Sequence, residues 1–276
     1  MKHLIILRNS KRALLTLLAF AALTGCDPHD PIYEADPPTP PVTPVNKLTF
    51  IPEWKTSQQE RIPHEYITRF VSTEEEVYDY KLPPSRTSVD NDRKAGEYTV
   101  YAFNEPAGVV SDGLSFYVNY DADDADEPNE PGWLFTSSRK VKIADNQDNL
   151  IDLPMTPQIG ILHIEVECAN PTGVTAVMAT LSGLARAFHL EDSSLSDAIE
   201  RDIPLTQGTD GKWRADIHIL GFVDEDLQNE RIWLSGEIQY INTSRPFDEN
   251  VWSQVKDFNQ DKASDTHQVK VLVGME

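Results

Sequence analysis

Apolar and polar side chains alternate along most of the chain from Lys47 onward. The clearest case runs from Leu162 to Cys168, where four apolar residues alternate with His163, Glu165 and Glu167. A period of two predicts a β-strand with one buried face. Residues 96–103 are apolar on both faces and predict a central strand. Further strands are predicted at residues 47–54, 66–71, 114–120, 141–144, 150–153, 174–181, 213–219, 232–240 and 269–273.

Two local signals interrupt this pattern. Asp210-Gly211 lies between the apolar segments Ile203–Leu205 and Trp213–Ile219, which is typical of a type I′ hairpin. Residues 193–201 alone indicate a short helix.

Many short strands separated by polar turns predict an all-β protein built from β-sandwiches. A sandwich of this kind needs ~100 residues. We therefore expect two tandem β-sandwich domains, over residues 47–154 and 155–276.

The N-terminus has the pattern of a secretory signal peptide over residues 1–25. Four basic residues precede the apolar run Ala13–Ala22, which is too short for the ~20 residues of a membrane span. Leu23-Thr24-Gly25-Cys26 resembles the bacterial lipobox, which implies that Cys26 receives acyl chains such as palmitate. The alternative is an ordinary signal peptide with a chance cysteine.

Residues 26–46 form the predicted lipidated start and its tether. Seven prolines lie between Asp27 and Asn46, with few large apolar residues. Such a segment favours extended polyproline II at ~3.1 Å per residue. We expect it to hold the folded body away from a membrane.

The chain is strongly acidic, with 24 Lys and Arg against 45 Asp and Glu and a formal net charge of −21. This charge argues against binding to nucleic acid or to anionic lipid headgroups. The membrane contact that we expect is therefore the lipid on Cys26.

No sequence pattern indicates a catalytic or metal site, so we expect no enzyme activity and no cofactor. The histidines lack metal-ligand spacing, although His163 and His218 could form a cross-strand pair instead of being solvated separately. Residues 121–127 are acidic but do not match a calcium-binding loop, which favours a solvated loop. Cys168 is expected to point into the core as an inert thiol.

Trp233 is the one candidate contact residue. It shares its strand face with Ser235, Glu237 and Gln239, opposite the apolar row of Ile232, Leu234 and Ile238. An outward tryptophan is either a binding residue or is covered by another part of the protein.

Several segments resemble fimbrillin-like lipoproteins of Bacteroidetes, including FimB-type fimbrial anchor subunits. They are Leu153–Pro157, Gly160–Ile164, Val174–Ala176, Ala179–Ala185 and Gly96–Asn104. The resemblance implies two transthyretin-like β-sandwiches, a role in anchoring or assembling fimbriae, and association by strand addition.

The same resemblance implies that polymerising subunits are trimmed by an arginine-specific protease. Residues 27–46 contain no Arg or Lys, and the first arginine after them is Arg61. An uncut, lipidated N-terminus fits an anchor better than a shaft subunit.

These observations predict a non-enzymatic lipoprotein of the outer membrane, exposed at the cell surface, that anchors or assists fimbrial or adhesin subunits. One alternative is a glycan-binding surface lipoprotein of a nutrient-uptake system. Another is a structural lipoprotein of the periplasm.

Overall fold

The computed structural model describes residues 46–120 and 130–274. The predicted signal peptide, Cys26 and the tether up to residue 45 lie outside the described residues. So does the acidic segment 121–127.

Strands account for most of the described chain, and the prediction of an all-β protein is confirmed. The strands are β1 Lys47–Trp54, β2 Tyr66–Ser72, β3 Val77–Leu82, β4 Thr87–Asp90, β5 Gly96–Phe103, β6 Val109–Asp112, β7 Ser115–Val118, β8 Phe135–Ile143, β9 Asn149–Pro157, β10 Gly160–Cys168, β11 Val174–His189, β12 Ser194–Ile203, β13 Thr206–Gln207, β14 Trp213–Ile219, β15 Trp233–Tyr240, β16 Ser244–Asn250 and β17 Gln268–Val273. The helices are α1 Asp224–Gln228 and α2 Trp252–Val255, with 3₁₀ turns at Gln59–Arg61 and Phe258–Gln260.

A seven-stranded sheet occupies the N-terminal half, in the order β3-β2-β5-β8-β9-β1-β4. β5 lies between β2 and β8, as its two apolar faces predict. β1 pairs parallel with β9 and antiparallel with β4, so it is an interior strand. Leu48 and Phe50 of β1 are fully buried.

Two further sheets carry the C-terminal half. One is four-stranded, in the order β13-β14-β10-β17, and the other is six-stranded, in the order β16-β15-β11-β7-β6 with β12 paired to β11. In β10, Leu162, Ile164 and Val166 point into the core while His163 and Glu165 are only partly covered, as the alternating pattern predicts.

The buried apolar side chains form two separate clusters. One includes Leu48, Phe70 and Val100, and the other is centred on the last two sheets. Phe116 in β7 belongs to the second cluster, because β7 pairs with β11. The predicted domain boundary at 154/155 falls within β9, and the division into two domains stays a prediction.

The predicted helix at residues 193–201 is wrong. This segment forms β12, which pairs antiparallel with β11 so that Leu195 lies opposite Phe188 and Ile199 opposite Leu184. A bulge between Leu181 and Leu184, together with a positive φ of 58° at Asp197, breaks the regular alternation of the two strands. The four-residue spacing of Leu195 and Ile199 therefore imitates a helical pattern.

The predicted hairpin is present, with a wider turn than a two-residue type I′ connection. β13 pairs antiparallel with β14, and the Gly208 N–H donates to the Lys212 carbonyl at 2.8 Å. Gly211 has a φ of +81°, which favours glycine at this position.

Across residues 46–120 and 130–274, no helix has the length and apolar character that crossing a membrane requires.

Candidate contact site around Trp233

Trp233 begins β15 and lies at the surface, with 38% of its area exposed. Its neighbours Ile232 and Leu234 are fully buried, so the backbone around the indole is fixed by the core. The backbone N–H of Trp233 donates to the Ser182 hydroxyl at 2.9 Å, and this hydrogen bond connects β15 to the bulge in β11.

A shallow groove of about 360 Å³ lies beside the indole. We call it the Trp233 groove; it is lined by Ser182, Gly183, Ala198, Ile199, Glu200, Asp226, Arg231 and Trp233. These residues come from the bulge in β11, from β12, from α1 and the segment after it, and from the start of β15.

Gly183 lines this groove at a position that favours glycine. Its φ is +74°, and a Cβ there would lie 2.4 Å from Cδ1 of Ile232. Its carbonyl accepts the Val223 N–H at 3.0 Å. A larger residue would push the bulge away from β15 and change the shape of the groove.

The chemistry of the groove suits a polyhydroxylated ligand. The indole offers an apolar face, the carboxylates of Glu200 and Asp226 accept hydrogen bonds, and the guanidinium of Arg231 donates them. The backbone N–H of Arg231 donates to the backbone carbonyl of Asp226 at 2.8 Å. This hydrogen bond fixes the turn that carries both side chains.

The strand face next to the groove is acidic. Thr180 pairs with Asp202 on one side and with Ser235 on the other, and Ser235 pairs with Asp248. The Thr180 hydroxyl donates to Oδ1 of Asp202 at 2.7 Å. Met178 is 48% exposed on the same face.

Arg61 is the first arginine after the predicted tether, and its side chain is buried. Its Nη2 donates to Oδ1 of Asp265 at 2.7 Å, and its guanidinium lies 3.9 Å from the ring centroid of Trp133. Gln58 donates to the other oxygen of Asp265 at 2.5 Å. A protease would have to break this arrangement to reach Arg61.

The suggested pairing of His163 with His218 is wrong. The register of β10 and β14 places His163 opposite Asp216 and His218 opposite Ile161. Nδ1 of His163 lies 2.6 Å from Oδ1 of Asp216. His218 instead packs against Trp133, with their ring centroids 4.7 Å apart.

Cys168 points into the core as predicted, with 6% of its surface exposed. Burial raises the pKa of its thiol. Over the two described ranges, no group of three or more His, Cys, Asp or Glu side chains is placed to hold a metal ion.

Sequence reasoning found Trp233 but missed the residues that share its groove. Glu200 lies far from Asp226 and Arg231 in the sequence, and it meets them because β11 pairs with both β12 and β15. Lys262 was also missed; it is 8% exposed, and burial lowers the pKa of its amine to about 8. Gly183 within an apolar strand was the one signal of the bulge.

No protein-family model matches the chain, and no curated protein matches it. Several solved structures share its fold. A candidate adhesin from Bacteroides ovatus is 15% identical, with 93% of this chain and 99% of that chain aligned at a TM-score of 0.62. The fimbrial anchor protein Mfa2 from Porphyromonas gingivalis is 12% identical, with 82% and 89% aligned at a TM-score of 0.53.

A structure from Bacteroides thetaiotaomicron, named for candidate polysaccharide-binding proteins, is 9% identical. It aligns over 82% of this chain and 90% of that chain at a TM-score of 0.55. At these identities the likeness shows a common fold.

Proposed function

We propose that this protein is a non-enzymatic lipoprotein of the cell surface that anchors fimbrial or adhesin subunits or assists their assembly. The observation that carries the proposal is the fold shared with the fimbrial anchor Mfa2 over 82% of the chain. The lipobox-like sequence at Cys26 supplies the link to the outer membrane, and residues 26–46 supply the tether.

Two features support an uncut chain. Arg61 is buried in its ion pair with Asp265. β1 precedes Arg61 and lies between β9 and β4, so removing it would expose the core that Leu48 and Phe50 fill. Cleavage after Arg61 would therefore separate β1, an interior strand of the seven-stranded sheet, from the rest of the chain.

We also propose that residues 47–154 and 155–276 correspond to two tandem transthyretin-like β-sandwiches. The two separate apolar clusters support this division. β6 and β7 from the first segment pair into the sheet of the second, which would couple the two sandwiches.

The open edge of β17 is a candidate place for a subunit strand to add. β17 is the last strand of the four-stranded sheet, and Leu272 on it is 43% exposed. The amide of Gln254 bonds both backbone groups of Lys270, accepting at 2.8 Å and donating at 3.1 Å. This contact imitates a neighbouring strand, and an incoming strand would have to displace it.

Deletion of the gene, followed by imaging of the cell surface, tests the anchoring role. We expect fimbriae that are released or altered in length, with recovery on complementation by the wild-type gene. Complementation with Cys26→Ala should fail, because the protein would lack its lipid. Unchanged fimbriae in the deletion strain would exclude the role in assembly.

Location is tested separately by protease treatment of intact cells. A surface protein is digested, whereas a periplasmic lipoprotein survives until the outer membrane is opened. Survival in intact cells would favour the periplasmic alternative.

A second candidate function is glycan binding at the Trp233 groove, in a nutrient-uptake system. It is favoured by the exposed indole beside two carboxylates and a guanidinium. Glycan arrays followed by calorimetry test it with Trp233→Ala, and Leu150→Ala is a matched control because Leu150 is 62% exposed on β9. Binding that is lost only in Trp233→Ala would establish this function, and equal binding by both variants would exclude the groove.

A further inference from the structure

One side of the six-stranded sheet is open to solvent. We call it the outer face; it consists of the outward side chains of residues 178–182 in β11, 200–202 in β12, 233–237 in β15 and 246–250 in β16. Their neighbours Leu181, Leu234 and Phe247 point the other way and are buried in the core. On the outer face, Met178 and Asp248 are exposed. The sheet therefore packs on one side only.

The outer face carries unpaired negative charge. Asp202, Glu237 and Asp248 lie on three different strands of it, and none of its outward residues is Lys or Arg. Among residues 46–120 and 130–274, no ion pair includes any of these three carboxylates. Asp202 accepts a hydrogen bond from the Thr180 hydroxyl, which is neutral.

The other sheets treat their outward carboxylates differently. On the four-stranded sheet, Glu165 pairs with Lys212 and with Arg214, each at 2.8 Å. On the seven-stranded sheet, Arg69 pairs with Asp79 at 2.8 Å. The chain is acidic as a whole, yet these sheets place a cation beside the carboxylate. The unpaired charge of the outer face is thus a local feature and not a consequence of composition alone.

Two large apolar side chains lie among the unpaired carboxylates. Trp233 and Met178 are both exposed. Met178 lies opposite Glu237, four residues along β15 from Trp233, so the two side chains are about 14 Å apart at ~3.4 Å per residue. Tryptophan and methionine are enriched at protein interfaces, and an indole face also attracts Lys and Arg. Apolar contacts beside uncompensated charge are typical of a binding surface.

We propose that the outer face is the docking surface for an extended, basic segment of a partner protein. Lys or Arg side chains of the segment would lie between Asp202 and Asp248, and apolar side chains would contact Trp233 and Met178. Three strand spacings of ~4.8 Å put the two aspartates about 14 Å apart, which leaves room for one segment between them. Opposite charge would steer the segment onto the face and set its orientation.

The charge of the outer face distinguishes this occupant from a glycan. A neutral glycan would use the indole and the polar groups of the Trp233 groove, and its binding would depend little on the charge of Asp202 and Asp248. An acidic glycan or protein would be repelled. The proposal rests on the assembly role only in taking the partner to be a surface subunit.

Fluorescence anisotropy of the full-length protein with labelled peptides tests the proposal. The basic probe is Arg-Thr-Val-Thr-Arg-Thr-Val-Thr-Arg, which in an extended conformation places arginine and valine on one face. Two control peptides carry glutamate or threonine in place of arginine. We expect the basic peptide to bind at least tenfold more tightly than either control. Its affinity should fall tenfold or more between about 50 mM and about 500 mM salt.

Variants of the protein locate the binding surface. The double variant Asp202→Asn, Asp248→Asn removes both charges and keeps the oxygen that accepts from Thr180, and it should bind the basic peptide at least tenfold more weakly. Trp233→Ala should weaken binding fivefold or more. Asp90→Asn is the matched control, because Asp90 is exposed on β4 of the seven-stranded sheet and should leave binding unchanged.

A thermal melt of each variant separates loss of the surface from loss of the fold. The proposal is overturned if the basic peptide does not bind, if a control peptide binds equally well, or if the folded double variant binds as tightly as the wild type. An equal loss in Asp90→Asn would contradict it, because the attraction would then belong to the acidic chain as a whole.

The alternative occupant and the assembly role give separate results. Glycan binding that Trp233→Ala loses and the double variant keeps, without binding of the basic peptide, would assign the face to a glycan and overturn the proposal. Unchanged fimbriae in the deletion strain would exclude the assembly role and leave the peptide result standing.

Discussion

Arg61 and Asp265 lie 204 residues apart in the sequence and form an ion pair of 2.7 Å. The pair joins the 3₁₀ turn after β1 to the segment before β17. The Arg61 side chain is 6% exposed and that of Asp265 is 37% exposed. The guanidinium also lies 3.9 Å from the Trp133 ring centroid, so one buried side chain links three distant parts of the chain.

Arg61→Met should lower the free energy of unfolding by about 2 kcal/mol. Removing one partner of a buried pair costs ~3–5 kcal/mol, and the partial exposure of Asp265 reduces this cost. Urea denaturation measures the change. Arg86→Met is the control, because Arg86 is exposed and its loss should have little effect. Equal stability of the two variants would show that the ion pair contributes nothing.

Tyr120→Phe should lower the free energy of unfolding by about 1–2 kcal/mol. The hydroxyl donates to the Ala185 carbonyl at 3.3 Å and accepts the Leu220 N–H at 3.0 Å, and the residue is only 7% exposed. The variant removes both of these hydrogen bonds. Tyr117→Phe, on a partly exposed residue, should unfold at the urea concentration of the wild type. A loss in both variants would point to a general effect of removing a hydroxyl.

Lys262→Met should raise the free energy of unfolding at pH 7 by roughly 1–3 kcal/mol. Burial lowers the pKa of Lys262 from 10.5 to about 8 in the folded protein, whereas the unfolded chain keeps the ordinary value. Between these two pH values the unfolded wild type binds more protons, so its stability increases with pH.

The advantage of Lys262→Met should therefore shrink as the pH rises from about 8 to 10.5. Urea denaturation of both proteins across this interval measures the difference, and other titrating groups cancel in the comparison. An advantage that stays constant with pH would mean that the charge of Lys262 is not responsible.

Gly236→Ala should lower the free energy of unfolding by at least about 2 kcal/mol or prevent folding. A Cβ at Gly236 would lie 2.0 Å from the Met178 carbonyl oxygen and 2.9 Å from Cα of Ala179. Both atoms belong to the backbone of β11, so no rotamer change relieves the clash. Gly96→Ala is the control, since its nearest atom would be Cε2 of Tyr98 at 3.7 Å. Thermal melts compare the two, and a normal melt for Gly236→Ala would contradict the close approach of β11 and β15.

Strands could be predicted where their two faces meet different environments. β10 and β17 alternate regularly because Leu162 and Val269 face the core while Glu165 and Lys270 do not. β16 was not predicted; it is an edge strand with mostly exposed residues, so its sequence carries little apolar periodicity.

β12 shows the opposite case, in which a local pattern was misleading. Its helical spacing arises from an irregular strand that is stabilised by antiparallel pairing with the preceding strand, β11. Local propensity is weak compared with this pairing and with burial against the core.

The Trp233 groove was predictable only in part. The outward position of Trp233 follows from the alternation of β15, which is local. The positions of Glu200 and Asp226 depend on the bulge at Gly183 and on the course of the chain through α1. Both are consequences of strand register, which a single sequence does not specify.

The sequence alone determined the all-β class, the strands with one buried face, the acidic surface and the inward position of Cys168, because each depends on side-chain periodicity or composition. The pairing of β7 with β11, the ion pair of Arg61 with Asp265, and the buried charge of Lys262 were decided only by the tertiary structure. Each of these brings together residues from distant segments, and the packing of the sheets sets their distances and their exposure to water.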